Sequence, residues 1–243
     1  MYKKFDLEIR TEEFMRELNV YATYGKELFK GLSDLAGELL TKLLKESVIN
    51  AEHLESIWFP ALSADVFISH SHRDFQTAVE LAGWLHARFG LRCFIDSCVW
   101  GHYKDILDLA EKDMSDLIFH IQMIVCSAIL KMINNTECFL FMKTGNSTDA
   151  SYSDLTGRVF SNSPWIYFES ILSDRISVTV PSRSIVEDII KAHDRSFKLL
   201  FPMNNSCAIN EQTLLKWLSF KDEFSFDSNP AQYLDILYSI SPA

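Results

Sequence analysis

The sequence predicts an α/β protein in which a parallel sheet is covered on both faces by helices. Three observations carry this expectation. Short runs of β-forming residues alternate along the chain with longer stretches of helical periodicity, the order in which strand–helix–strand crossovers are built. The main runs are apolar along their length, as strands buried on both faces are. Hydrophobic residues make up 48% of the 243 and aromatics 13%, with only 8 Gly and 6 Pro. That is enough to pack a core and excludes a disordered or linker-dominated chain.

Residues 1–63 read as a mainly helical N-terminal extension. Phe5, Leu7 and Ile9 alternate with polar residues as in a short strand, and Thr11 followed by Glu12 and Glu13 marks a helix start. Leu28, Leu32, Leu35, Leu39 and Leu43 then describe an amphipathic helix. This segment fits either a helical pair packed on the main domain or an arm for oligomerisation or a partner, and the sequence leaves both open.

Residues 64–243 carry the α/β pattern. Asp65-Val-Phe-Ile-Ser69 is the first strand of this part. Asp74 can cap the helix that follows, whose face is Phe75, Ala78, Val79, Ala82, Leu85 and Phe89, and Gly90 stands where a left-handed C-terminal cap is needed. Leu91–Asp96 and Glu137–Met142 read as further buried strands, with helical pattern over Asp105–Met132 between them. Lys143–Asn162 is polar and loop-like. Ser163-Pro164 opens another helix, serine as N-cap and proline in the first turn. Arg175–Val180 and Phe197–Phe201 supply two more strands, and helices near Asn210–Ser219 and Pro230–Ser239 complete the chain.

Charge and cysteine usage restrict the function. With 23 Lys+Arg against 33 Asp+Glu the chain carries −10, which argues against nucleic-acid binding, since that affinity comes largely from neutralising phosphates. A small anionic ligand needs only local donors. Five cysteines without a C-x-x-C spacing read as reduced thiols of a cytoplasmic protein. The N-terminus lacks the apolar stretch of a signal peptide. The longest uncharged apolar stretch, Leu117–Leu130, includes His120 and Gln122. It is too short to span a bilayer and reads as a buried helix, so no membrane partner is expected.

In parallel sheets of this kind, ligands bind outside the C-terminal strand ends. That rule nominates Ser69-His70-Ser71, Asp96-Ser97 and the loop after Met142. The dinucleotide fingerprint, the P-loop, the nucleophile elbow and the zincin motif are all absent. His70-x-His72 has metal-like spacing, but no nearby cysteine or third histidine completes a ligand set, so no metal is expected.

Ala64-Asp-Val-Phe-Ile-Ser-His-Ser-His-Arg-Asp74, followed by a helix and Phe94-Ile-Asp-Ser-x-Val-Trp-Gly101, resembles a TIR (Toll/interleukin-1 receptor) domain. The variant is similar to bacterial TIR proteins of antiphage defence systems such as Thoeris. Ser163-Pro-Trp-Ile-Tyr-Phe-Glu169 matches the family's W-x-x-x-E element. The resemblance covers about residues 64–203. It implies a flavodoxin-like parallel sheet flanked by helices, and an enzyme that cleaves NAD+ at the nicotinamide–ribose bond. By that resemblance Glu169 is the catalytic carboxylate and Trp165 shapes the nicotinamide end. The loop from Asp96 through Trp100 is the family's mobile loop, and Ser69, His70 and Ser71 lie along the substrate. NAD+ is then a substrate, with no cofactor required. TIR–TIR self-association and a separate effector that responds to the product are the implied partners.

The chemistry is arguable from the residues. Trp165 and Glu169 are four apart and share a helix face. Ser163 at the helix start leaves backbone N–H groups free near anionic oxygens. Nicotinamide leaves as a neutral molecule, so the demand falls on stabilising an oxocarbenium-like ribose, which one ionised carboxylate beside an aromatic wall supplies. Each residue also has an ordinary reading. Glu169 is then a solvated surface charge, Trp165 part of the core, Asp96 a strand-end cap, His70 and His72 loop residues, and Trp100 packing for its loop. Nothing near Cys98 lowers its pKa, so it is no nucleophile candidate. Water as acceptor yields ADP-ribose, an internal nucleophile a cyclic isomer, and an external one a conjugate. The competing classes are a non-catalytic TIR scaffold and a nucleotide sensor.

Overall fold

The computed structural model describes residues 1–30, 50–60, 62–100, 115–148, 161, 163–181, 206–222, 224, 226 and 229–241. Its centre is a five-stranded, all-parallel sheet. The strands are β1 (Lys3–Glu8), β2 (Val66–Ser69), β3 (Cys93–Phe94), β4 (Cys138–Met142) and β5 (Cys207–Asn210), in spatial order β3-β2-β4-β1-β5. The helices are α1 (Glu12–Asn19), α2 (Ala22–Leu28), α3 (Ala51–Trp58), α4 (Phe75–Phe89), the short α5 (Asp96–Val99), α6 (Ser115–Asn135), α7 (Pro164–Arg175), α8 (Glu211–Ser219) and α9 (Gln232–Ile240).

Side-chain alternation along the strands divides the core into two layers. Phe5, Leu7, Val66, Ile68, Leu140 and Met142 point to the face covered by α1, α4, α8 and α9. There Phe89 of α4 stacks on Trp217 of α8 with ring centroids 3.9 Å apart, and the Trp217 indole donates to the Tyr233 carbonyl at 2.7 Å. Phe67, Phe94 and Phe139 point to the opposite face, against Leu54 of α3 and Ile121, Val125, Ile129 and Met132 of α6. Three phenylalanines run across β3, β2 and β4, with Phe67 centred 5.2 Å from Phe94 and 5.4 Å from Phe139. Such pairs add to the area they bury. Gly90 ends α4 at φ 70°, the left-handed cap expected of it.

The boundary at residue 63 does not separate two units. β1 lies inside the sheet, paired with β4 from Lys3↔Cys138 to Leu7↔Met142 and with β5 from Phe5↔Cys207 to Glu8↔Asn210. Its alternation resembles a half-exposed strand because its second face is polar. That face is satisfied by α7, where the Lys4 ammonium donates to Asp174 at 2.8 Å and to the Ser170 hydroxyl at 3.3 Å. The expected leucine helix lies outside the described residues beyond Lys30, as do residues 105–114 and the strand at 197–201.

Three further expectations are corrected. Arg175 ends α7, and Val178 and Val180 beyond it are exposed and in no strand. The place beside β1 belongs to β5, where Ile209 alone is buried, too little for a sequence signal. The strand expected over Leu91–Asp96 shrinks to Cys93–Phe94. The stretch from Leu117 is not buried all round: Phe119 is 62% and Met123 55% exposed, while Ile121, Val125, Ile129 and Met132 form the inward face.

Candidate functional site

The connections of the sheet diverge at the C-terminal ends of its central strands. The chain leaving β2 runs through α4 to β3 on one side, whereas the chain leaving β4 leads towards α7 on the other face. The C-terminal ends of β2 and β4 therefore part at a switch point, where such sheets hold ligands.

Ser69 is the last residue of β2 and shares the Phe67 face, so its hydroxyl meets α7. It donates to the Glu169 carboxyl at 2.6 Å, and the two side chains are 1% and 2% exposed. One turn earlier on α7, the Trp165 indole N–H donates to Asp96, the first residue of α5, at 3.1 Å. The next residue, Ser97, places its hydroxyl 3.0 Å from the His70 Nε2, and His70 follows Ser69. Three hydrogen bonds thus close a ring through the end of β2, the start of α5 and the first turns of α7. These are three segments far apart in sequence.

The electrostatics follow from burial. Glu169 is pushed well above the ordinary carboxyl value, first by desolvation and then by the Asp96 charge, with the Ser69 hydrogen bond opposing. His70 is pulled below the ordinary imidazole value, again mainly by burial, against the attraction of Asp96. Its Nε2 is engaged with Ser97, and among the described residues no group of three or more His, Cys, Asp or Glu could hold a metal ion. The Cys98 thiol is pushed up to about 12 by burial and the Asp96 charge, which leaves almost no thiolate at neutral pH. No disulfide links cysteines among the described residues.

Other expected site residues lie elsewhere. Trp100 is packed into the second core layer, edge-on to Phe94 at 4.9 Å and to Phe59 at 5.4 Å, and only 4% exposed. It is part of the core and takes no part in the ring of hydrogen bonds. Ser163 uses its hydroxyl to cap α7, accepting from the Ile166 N–H at 3.3 Å. Ser71 starts the 3-10 turn His72–Asp74 and accepts the Asp74 N–H on its carbonyl at 2.8 Å.

Asp74 makes no side-chain cap to α4, contrary to the expectation. Its carboxylate accepts from the Thr144 hydroxyl at 2.5 Å and the Asn146 amide at 2.7 Å, tying the loop after β2 to the loop after β4 across the switch point. Nothing local in the sequence marks this bridge, because its partners are 70 and 72 positions away. Asp74→Ala leaves both donors without their acceptor. We expect a loss of about 2 kcal/mol in chemical denaturation, and an unchanged midpoint would show that the bridge contributes nothing.

Among the described residues no helix is long and apolar enough to cross a membrane. Comparison of the chain with protein-family models, curated proteins and solved structures gives no match.

Proposed function

We propose that this chain is a TIR-like enzyme that breaks the nicotinamide–ribose bond of NAD+ and releases an ADP-ribose product as an immune signal in bacterial antiphage defence. The observation that carries the reading is the buried Ser69–Glu169 hydrogen bond at the strand ends, within the ring that also contains Asp96 and Trp165. Counted from β2, three strands fall in the order second–first–third, as at the left of a flavodoxin-like sheet. The N-terminal β1 fills the next place, an addition to that pattern.

In this reading Trp165 forms an aromatic wall for the nicotinamide ring, with its plane fixed by Asp96. Ser69 orients the Glu169 carboxyl. As the glycosidic bond breaks, the pyridinium takes the bonding pair and departs neutral, and positive charge develops on C1′ and the ring oxygen of the ribose. A Glu169 carboxylate beside those atoms stabilises that charge. No proton has to be delivered to the leaving group. Water, an internal nucleophile or a second substrate completes the reaction.

A second reading, a TIR scaffold, is favoured by one observation. Phe119, Met123 and Leu130 on α6 and Tyr167 and Ile171 on α7 are exposed, and the two helices are neighbours. Apolar surface of this kind suits assembly with further copies.

The test is incubation of the full chain with NAD+, alone and in extract from phage-challenged cells that express it, with nicotinamide and ADP-ribose species read by mass spectrometry. Nicotinamide release that requires the chain supports the enzyme and identifies the acceptor. Intact NAD+ in both conditions sinks the catalytic reading and favours the scaffold.

A further inference from the structure

A row of side chains crosses the sheet beside Glu169. Strand pairing sets Ser69 of β2 against Phe141 of β4, Phe141 against Asp6 of β1, and Asp6 against Ala208 of β5. Ser69 lies two residues after Phe67, Phe141 two after Phe139 and Asp6 two after Lys4. All three side chains therefore rise from the face that α7 packs against. The Ser69 hydroxyl holds the Glu169 carboxyl over one end of the row at 2.6 Å.

Two members of the row differ from their neighbours. The other residues of β4 are buried, whereas Phe141 is half-buried and only partly packed on the second core layer. Phe67 and Phe139 stack on each other across β2 and β4, but among the described residues Phe141 has no ring partner. On β1, Lys4 is taken by Asp174 and Ser170, and Glu8 by Arg10 and by Lys143 at 2.7 Å. Asp6 stands between them, half-buried, and among the described residues its carboxylate has no hydrogen bond or ion pair. Ala208 beyond it is exposed and small, and adds no bulk at that end.

We propose that this row seats a flat ring bearing a carboxamide, with the ring on Phe141 and the amide N–H donating to Asp6. The proposal rests on the reading of Glu169 as the group beside C1′ of the ribose. It deepens that reading by naming two specificity-determining residues and the feature they select. Two strand spacings, about 10 Å, separate the backbone of Ser69 from that of Asp6. A pyridine ring joined to C1′ beside Glu169, its carboxamide and one hydrogen bond of about 2.9 Å together cover about that span. Phe141 meets the ring from the sheet, and Trp165 borders it from α7. An aromatic face attracts a cationic ring, and a carboxylate accepts from an amide more strongly than a neutral acceptor does. Breaking the glycosidic bond needs only the pyridinium. Preference for the carboxamide is therefore a property of this row and is not required by the reaction.

The experiment titrates the full chain by NMR with nicotinamide and with meta-acetylpyridine, a ring of the same shape whose methyl ketone donates no hydrogen bond. The wild type is expected to bind nicotinamide about tenfold more tightly, the scale of one hydrogen bond to a charged acceptor. Nuclear Overhauser contacts should join the ligand ring to Phe141, an arm that needs no variant. In Asp6→Ala the difference between the ligands should vanish. In Phe141→Leu, which keeps an apolar side chain, both ligands should weaken together. Thermal unfolding checks that the variants are folded. Equal affinities in the wild type, a preference that survives in Asp6→Ala, no contact with Phe141, or no binding of either ligand would overturn the proposal. Nicotinamide release from NAD+ with KM unchanged in both variants would overturn it too, and leave the enzymatic reading standing. The expected preference in a chain that never cleaves NAD+ would remove the enzymatic reading and leave a carboxamide-ring site.

Discussion

Glu169→Gln is expected to reduce nicotinamide release by about a thousandfold, the scale lost when one preorganised electrostatic group is removed from a reacting centre. The amide keeps the shape and accepts the Ser69 hydroxyl as the carboxyl does, so Trp165 and Asp96 need not move. What disappears is the ability to become negative as the ribose becomes positive.

The same substitution should stabilise the protein at neutral pH. Burial and Asp96 raise the carboxyl of folded Glu169 above its unfolded value near 4.5. Between those values the folded chain holds a proton that the unfolded chain has lost. The stability due to Glu169 is therefore fully present below the unfolded value and is lost as pH rises through the folded one. Glutamine has no such dependence. Thermal unfolding of the two proteins should give nearly equal midpoints at pH 4.5, with the variant increasingly ahead as the pH is raised. Lost turnover together with lowered stability would mean that Glu169 is a structural ion and not a poised one.

Gly25→Ala is expected to be the most damaging small substitution among the glycines of the helical layer. Gly25 of α2 lies against the backbone of α4. A methyl there overlaps the Val79 carbonyl oxygen and comes within 3.0 Å of its carbon. The facing Gly83 has the same tightness, since a Cβ on it would stand 2.8 Å from the Tyr21 carbonyl oxygen and 3.0 Å from the Gly25 Cα. Backbone meets backbone, so no side chain can swing aside. Alanine is the better helix former by about 1 kcal/mol, but the clash outweighs it. A net loss of about 3 kcal/mol is expected, lowering Tm by roughly 10 °C in a chain of this size. Because α4 continues directly from the segment that carries His70 and Asp74, a shifted α4 should also weaken ligand binding. An unchanged Tm for Gly25→Ala would show that the two helices do not pack as described.

Much of the fold was legible in the sequence because its signals are local. A run such as Val66-Phe-Ile needs cover on both sides, Gly90 has the conformation that its cap requires, and Ser163-Pro164 starts a helix from its own chemistry. Failures fell where a residue's partner lies far along the chain. The polar half of β1 looks like solvent-facing surface until α7 supplies Asp174 and Ser170 for Lys4. β5 is a strand because β1 offers it an edge, and its own residues scarcely demand it. Trp100, expected at the cleft, fills space between Phe59 and Phe94, a contact that spacing along the chain does not encode.

By itself the sequence determined which residue types were available: one tryptophan–glutamate pair on a helix face, a serine at a strand end, an aspartate after the next strand. Periodicity and capping act over a few residues, and those placements follow from them. Only the tertiary structure decided that Ser69 reaches Glu169, that the Trp165 indole holds Asp96, and that Asp74 spans the switch point to Thr144 and Asn146. It also decided that Glu169 is buried and raised instead of solvated. Those properties depend on which surfaces meet when the sheet closes, and on how much water is expelled between them.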